Sequence, residues 1–176
     1  MDESERQFIL GNLQETRETF LAETKTVRED QARWKPTSDR WSILECAEHV
    51  AVSEEGMFYL LTREAMPLGT LTVCVGRERE ILARGTDRSK KFTAPETMAP
   101  TGRFATLAEA LRTFQENRSR TITYVEGCGQ ELCNQEVVHP LFGRVTANEC
   151  LALLTIHPAR HSLQVRELRQ HPQFPK

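Results

Sequence analysis

The chain has no long apolar run, so none of its 176 residues read as a membrane span. It has no basic excess either. Lys and Arg number 23 against 25 Asp and Glu, for a formal net charge of −2, and no basic helix or aromatic-basic stretch appears. Nucleic acid is therefore not an expected partner. There is no acidic tail, no internal repeat and no low-complexity tract. The opening residues, Met1-Asp2-Glu3-Ser4-Glu5, are acidic and polar, unlike the basic-then-apolar pattern of a signal peptide. The expectation is a cytoplasmic protein. Cysteine is present in an odd number, five, at Cys46, Cys74, Cys128, Cys133 and Cys150. That count argues against a disulfide framework. The nearest pair, Cys128 and Cys133, matches no zinc-knuckle spacing. The thiols read as small buried hydrophobes or free groups.

What remains is an ordinary globular composition, 39% hydrophobic and 27% charged. A chain of this length can bury a core without disulfides, and residues 1–176 read as one domain.

Four long helical segments can be traced. The first runs from about Ser4 to about Val27, with Phe8, Leu13, Phe20 and Leu21 at helical spacing. Residues 28–41 read as a connection, broken at Trp34-Lys35-Pro36 and followed by turn residues. The second helix begins at a capping box, Ser42 with Glu45, and ends near Met66. Residues 67–104 are irregular and punctuated by glycine and proline, with a short helix expected around 77–84. The basic cluster between Arg77 and Lys91 reads as solvated surface. The third helix spans about Leu107 to Val125 and is ended by Gly127 and Gly129. A loop containing His139 follows. A second capping box, Thr146 with Glu149, opens the fourth helix, which runs to about Arg169. The expected fold is all-α, a four-helix bundle with a long crossover between helices two and three. Short connections predict that helices one and two, and three and four, are antiparallel neighbours, and the crossover lets the third run parallel to the second.

The histidines carry the chemistry. His157 and His161 stand four residues apart on the fourth helix, so at about 100° per residue both rings share a face. That face is apolar, since Cys150, Leu153, Leu154 and Leu168 lie within about 60° of His157. Two buried rings are costly without partners, and a metal ion serves both. No glutamate follows His157, so the metalloprotease motif is absent. The competing reading is a pair of hydrogen-bonded core histidines. His49 is the histidine of the second helix and lies at the edge of its buried stripe, near a groove. Three imidazoles leave coordination positions open for substrate, the pattern of catalytic sites. Such ligands suit zinc, nickel, iron or copper. Glu45 and Gln164 are candidates to orient the rings, although capping competes for Glu45. Cys46, about 60° from His49, is a conceivable thiolate ligand. His139 reads as a turn or substrate-side residue, and His171 as solvated.

These residues also carry a family resemblance. Arg40-Trp41-Ser42-Ile43-Leu44-Glu45-Cys46-Ala47-Glu48-His49-Val50 resembles the second-helix signature of the DinB-like (damage-inducible) superfamily. The stretch from His139-Pro140-Leu141-Phe142-Gly143 to Glu149 resembles its lead-in to helix four, and His157-Pro158-Ala159-Arg160-His161-Ser162-Leu163-Gln164 its second metal motif. With the helix order, the likeness covers nearly the whole chain. It implies a four-helix bundle with the long crossover, one divalent metal ion on His49, His157 and His161, and a homodimer. Activities in the superfamily include S-transferases that use low-molecular-weight thiols such as bacillithiol or mycothiol, and a thiol-dependent isomerase.

Three functions follow as expectations. The first is a metal-dependent enzyme acting on a small molecule, a thiol S-transferase or a hydrolase, because a metal lowers the pKa of a thiol or water. The second is a non-catalytic metal-binding or stress-response module. The third is a helical bundle with ordinary core histidines.

Overall fold

Local signals set the helix starts. In the computed structural model, which describes residues 3–69, 77–128, 132 and 134–176, the Ser42 hydroxyl accepts the Glu45 amide (3.1 Å) and the Glu45 carboxylate accepts the Ser42 amide (2.7 Å). Thr146 and Glu149 make the same reciprocal pair at 3.0 Å each. Thr106 caps a third helix by accepting the Glu109 amide. Each pair satisfies amides that have no partner within their own helix.

The elements in chain order are α1 (Glu3–Thr24), α2 (Glu29–Arg33), α3 (Ile43–Tyr59), β1 (Met66–Pro67), α4 (Glu78–Arg84), α5 (Leu107–Gly127), β2 (Gln135–His139), β3 (Gly143–Thr146) and α6 (Ala147–Arg169). The four long helices lie where the sequence places them. A π-helical turn, Leu60–Glu64, extends α3 toward β1. The sequence reading missed α2 and the three-stranded antiparallel sheet, ordered β1-β2-β3. The strands are too short for their alternation to stand out. In β2, Val137 and His139 are buried and Val138 is exposed. His139 pairs with Gly143, whose φ of +69° closes the tight turn between β2 and β3. Cys74, Cys133 and Gly129 lie outside the described residues.

The bundle corrects one expectation. Helix α1 packs on α6 and α5, and α3 packs on α5 and α6. Consecutive long helices, α1 with α3 and α5 with α6, therefore face each other across the diagonal instead of lying side by side. The connections that carry them are long enough to cross, one holding α2 and the other the β2–β3 hairpin. The parallel run of α3 and α5 holds: Asn117 donates to the Ala51 carbonyl and Thr121 to Glu54, so both chains advance together.

Two apolar clusters fill the interior. One gathers Leu13, Met57, Ile122, Val125, Leu151 and Leu154 with the hairpin's Val137 and Val145. The other gathers Phe20, Ile43, Ala47, Val50, Phe114 and Val165. Each long helix changes cluster across a polar layer: Thr16 on α1, Glu54 on α3, Asn117, Arg118 and Thr121 on α5, and Thr155 on α6, all buried. Phe8 does not face inward as its spacing implied. It is 45% exposed beneath the Arg79 guanidinium, because Ile9, Leu10 and Leu13 define the core face of α1.

Candidate metal centre

Three histidines lie on the same two helices as Glu54 and Thr155 of the polar layer. His49 comes from the middle of α3, and His157 and His161 from successive turns of α6. His49 and His161 are buried and His157 is partly buried. Their ligating nitrogens all lie within 4.8 Å of one another. His157 Nε2 is 3.0 Å from His49 Nε2 and 3.1 Å from His161 Nε2.

Proton bookkeeping at these contacts is informative. His49 Nδ1 meets the Met98 carbonyl oxygen at 2.8 Å. A carbonyl only accepts, so the ring carries its proton on Nδ1 and its Nε2 is a bare lone pair. His161 Nδ1 meets Gln164 Oε1 at 3.0 Å, and the same oxygen accepts from Arg88. Its Nε2 is bare by the same reasoning. His157 Nε2 can hold one proton at most, yet it faces two nitrogens. At least one of the two contacts then sets lone pair against lone pair. A second proton is opposed by burial, which pushes all three rings below the ordinary histidine range, His157 and His161 well below it. A divalent cation removes the conflict, because all three lone pairs can point at it. The separations of 3.0 and 3.1 Å fall near the roughly 3.0–3.4 Å expected between neighbouring ligands of an ion bound at about 2.0–2.1 Å.

The surroundings hold the rings in this posture. Trp41, just before α3, lies 4.8 Å from the His49 ring and stacks over His161 at 6.2 Å and 19°. The buried Glu48 carboxylate accepts the amides of Thr101 (2.7 Å), Gly102 (3.0 Å) and Arg103 (3.2 Å). Gly102 adopts φ +80°, which presents its amide. Glu48 thus clamps the crossover onto α3 three residues after the Met98 carbonyl that orients His49. Sequence reasoning missed both. A backbone carbonyl leaves no sequence signal, and Glu48 looks like an ordinary exposed helix residue.

The sequence candidates separate clearly. His49, His157 and His161 come together, and Gln164 touches His161. Glu45 does not orient a ring: one oxygen takes Lys35 Nζ (2.9 Å) and the other caps α3. Cys46 packs in the second apolar cluster, where burial pushes its thiol up to about 12, so it stays protonated. Cys150 is equally buried, with its thiol also pushed up to about 12. His139 sits at the end of β2 and is buried. His171 packs its ring 5.2 Å from Trp34, and is not simply solvated.

The comparisons agree with this architecture. The model of the DinB superfamily matches residues 12–165. An uncharacterized Bacillus subtilis protein, YuaE, is 22% identical over 151 residues, covering 84% of this chain and 89% of that protein. Among solved structures, YfiT from Bacillus subtilis, described as a probable metal-dependent hydrolase with an unusual four-helix bundle topology, superposes with a TM-score of 0.63. It shares 14% identity over 97% of this chain and 89% of its own. The family match over almost the entire length settles the family: the chain belongs to the DinB superfamily.

Proposed function

We propose that His49, His157 and His161 hold one divalent ion and that the protein is a metal-dependent enzyme acting on a small molecule. The observation that carries this is the pair of Nε2 contacts with at most one proton between them. An ion there supplies Lewis acidity and lowers the pKa of a water or thiol nucleophile. The chain's own residues hold the geometry. Met98 and Gln164 fix the tautomers of His49 and His161, Glu48 fixes the segment carrying Met98, and Trp41 covers two of the rings. No carboxylate meets the ring nitrogens among the described residues, so three neutral imidazoles leave the net charge on the ion and favour an anionic nucleophile.

Hydrolysis and thiol S-transfer are the two reactions this centre supports. The description of YfiT as a probable hydrolase favours the first, and the presence of thiol-dependent enzymes among the activities of the resembled superfamily the second. A homodimer belongs to the same reading. Elemental analysis of tag-free protein tests the centre: about one ion per chain is expected in the wild type and none in His157→Ala. No uptake of zinc, nickel or iron by wild type would leave a bundle with hydrogen-bonded histidines. Turnover of ester and amide panels with and without added thiol then separates the reactions, since a transferase needs the thiol and a hydrolase does not.

A further inference from the structure

Residues 85–103 of the crossover reach the outer nitrogens of two of the three histidines. The Met98 carbonyl accepts from His49 Nδ1 at 2.8 Å. Arg88 donates to Gln164 Oε1 (3.4 Å), the oxygen that also accepts from His161 Nδ1 (3.0 Å). Arg88 thereby selects one orientation of the Gln164 amide. Turned over, the amide would set its own N–H groups against two donors. Arg88 is itself held by a two-pronged ion pair with Glu167, at 2.7 and 2.9 Å.

Further ties fasten the same segment to both helices. Arg160, on α6 between His157 and His161, donates to the carbonyls of Gly85 (3.4 Å), Asp87 and Lys90 and lies 5.3 Å over the Phe92 ring. Gly85 approaches α6 so closely that a Cβ there would stand 2.5 Å from Ile156 Cγ2. On α3, a Cβ at Gly56 would stand 2.9 Å from the Met98 Cε. Glu48 holds the amides of Thr101, Gly102 and Arg103.

Seating this segment and binding an ion ask the same of the rings: His49 and His161 protonated on Nδ1, with Nε2 bare. We infer that residues 85–103 form a strap whose seating on α3 and α6 is coupled to occupancy of the three-histidine centre. The ion closes the strap, and the strap retains the ion. This rests on the metal reading and names how that centre is regulated. With an ion bound, the bare lone pairs share one partner. Without it, a seated strap keeps them facing His157 Nε2, and the conflict eases when His49 turns or moves its proton to Nε2. Ser53 can serve either tautomer, because its hydroxyl lies 3.4 Å from His49 Nδ1 and can donate as well as accept. Met98 then loses its donor and the strap loosens. Whatever factor a seated strap adds to ion affinity, the ion adds to the seating.

Hydrogen exchange of the full chain, read by mass spectrometry on peptides from residues 85–103, tests this beside zinc affinity from chelator competition. Amides that open locally are slowed by an ion only where the opening disturbs its site. Saturating zinc should slow exchange in the strap by roughly tenfold relative to chelated protein, a common size for coupling between sites. Arg160→Met and, separately, Gly85→Ala should speed that exchange and weaken zinc by a like factor. Neither residue hydrogen-bonds a histidine ring. For Arg160 the sign is diagnostic, since removing a positive charge near the centre would by itself tighten a cation. Both residues are partly exposed, so the variants should fold, and circular dichroism checks it. One zinc per chain with unchanged exchange in the strap, or folded variants in which exchange or zinc affinity stays put or tightens, overturn the strap and leave the metal centre intact. No uptake of zinc, nickel or iron by wild type overturns the metal reading itself, and this inference with it.

Discussion

Arg118 donates a hydrogen bond to the carbonyl of Leu154 at 3.1 Å, the acceptor that Pro158 leaves without its helical donor. Proline within a helix has no amide hydrogen, so the carbonyl four residues earlier is orphaned. A buried guanidinium from α5 fills the vacancy. The same side chain donates to Leu13, Thr16 and Glu54 (2.8 Å to the last), joining all four long helices one turn from His157. The proline inside α6 between the two histidines is thus tolerated through a partner on another helix.

Arg118→Met should lower unfolding free energy by about 3–5 kcal/mol, the usual cost of leaving one member of a buried ion pair alone. Leu154 would lose this donor, and Glu54 would keep only the Thr121 hydroxyl. Adding Glu54→Leu should recover part of the loss. Urea denaturation of the single and double variants checks this. A single variant as stable as wild type would mean the network contributes nothing net.

Glu48→Ala should weaken ion affinity by about 10- to 100-fold, the scale seen when groups that orient ligands are removed. Three amides of the crossover would lose their acceptor, and the Met98 carbonyl would no longer be held against His49. Competition with a chromophoric chelator measures the change. An unaltered constant would show that Met98 is held by other means.

Glu45 and Gln164 should part company in the same assay. Gln164→Leu removes the acceptor for His161 Nδ1 and should cost about tenfold or more in ion affinity. Glu45→Ala removes only a capping carboxylate and its lysine contact. It should cost about 1 kcal/mol of stability and leave ion affinity unchanged.

Loading with the bound ion should raise stability by about 2.7 kcal/mol at a free concentration one hundred times the dissociation constant. Thermal melts of chelated and reloaded protein provide the measurement. His157→Ala should show no such gain.

The metal-free protein should lose stability as pH falls from about 6.5 to about 4. Burial holds His139 at about 4, below the ordinary 6.5. The unfolded chain therefore takes up that proton first, and the folded state resists it, so stability rises with pH across this window and is flat above it. The full effect for His139 is about 3 kcal/mol. Burial depresses His49, His157 and His161 in the same direction. Urea midpoints between pH 4 and 7 should show a shallower slope in His139→Gln than in wild type. Equal slopes would remove His139 from the account.

The sequence by itself determined the four long helices, their capping boxes and the pairing of His157 with His161. All of these depend on residues within a turn or two of one another, where helical geometry leaves little choice. His49 was also legible, because its position on an amphipathic helix limits where its ring can go. Only the tertiary structure decided the rest. The diagonal pairing of consecutive helices depends on how two apolar clusters are shared around the bundle, and no local pattern records that. The short strands escaped notice because two to five residues of alternation cannot outweigh the turn residues beside them. Met98 meets His49 through a backbone carbonyl, and Arg118 meets the carbonyl freed by Pro158 across a sequence gap of 36 residues. Such contacts are chosen by what each buried group lacks. A donor without an acceptor, or a lone pair without a cation, finds its partner only once the chain has brought distant segments together.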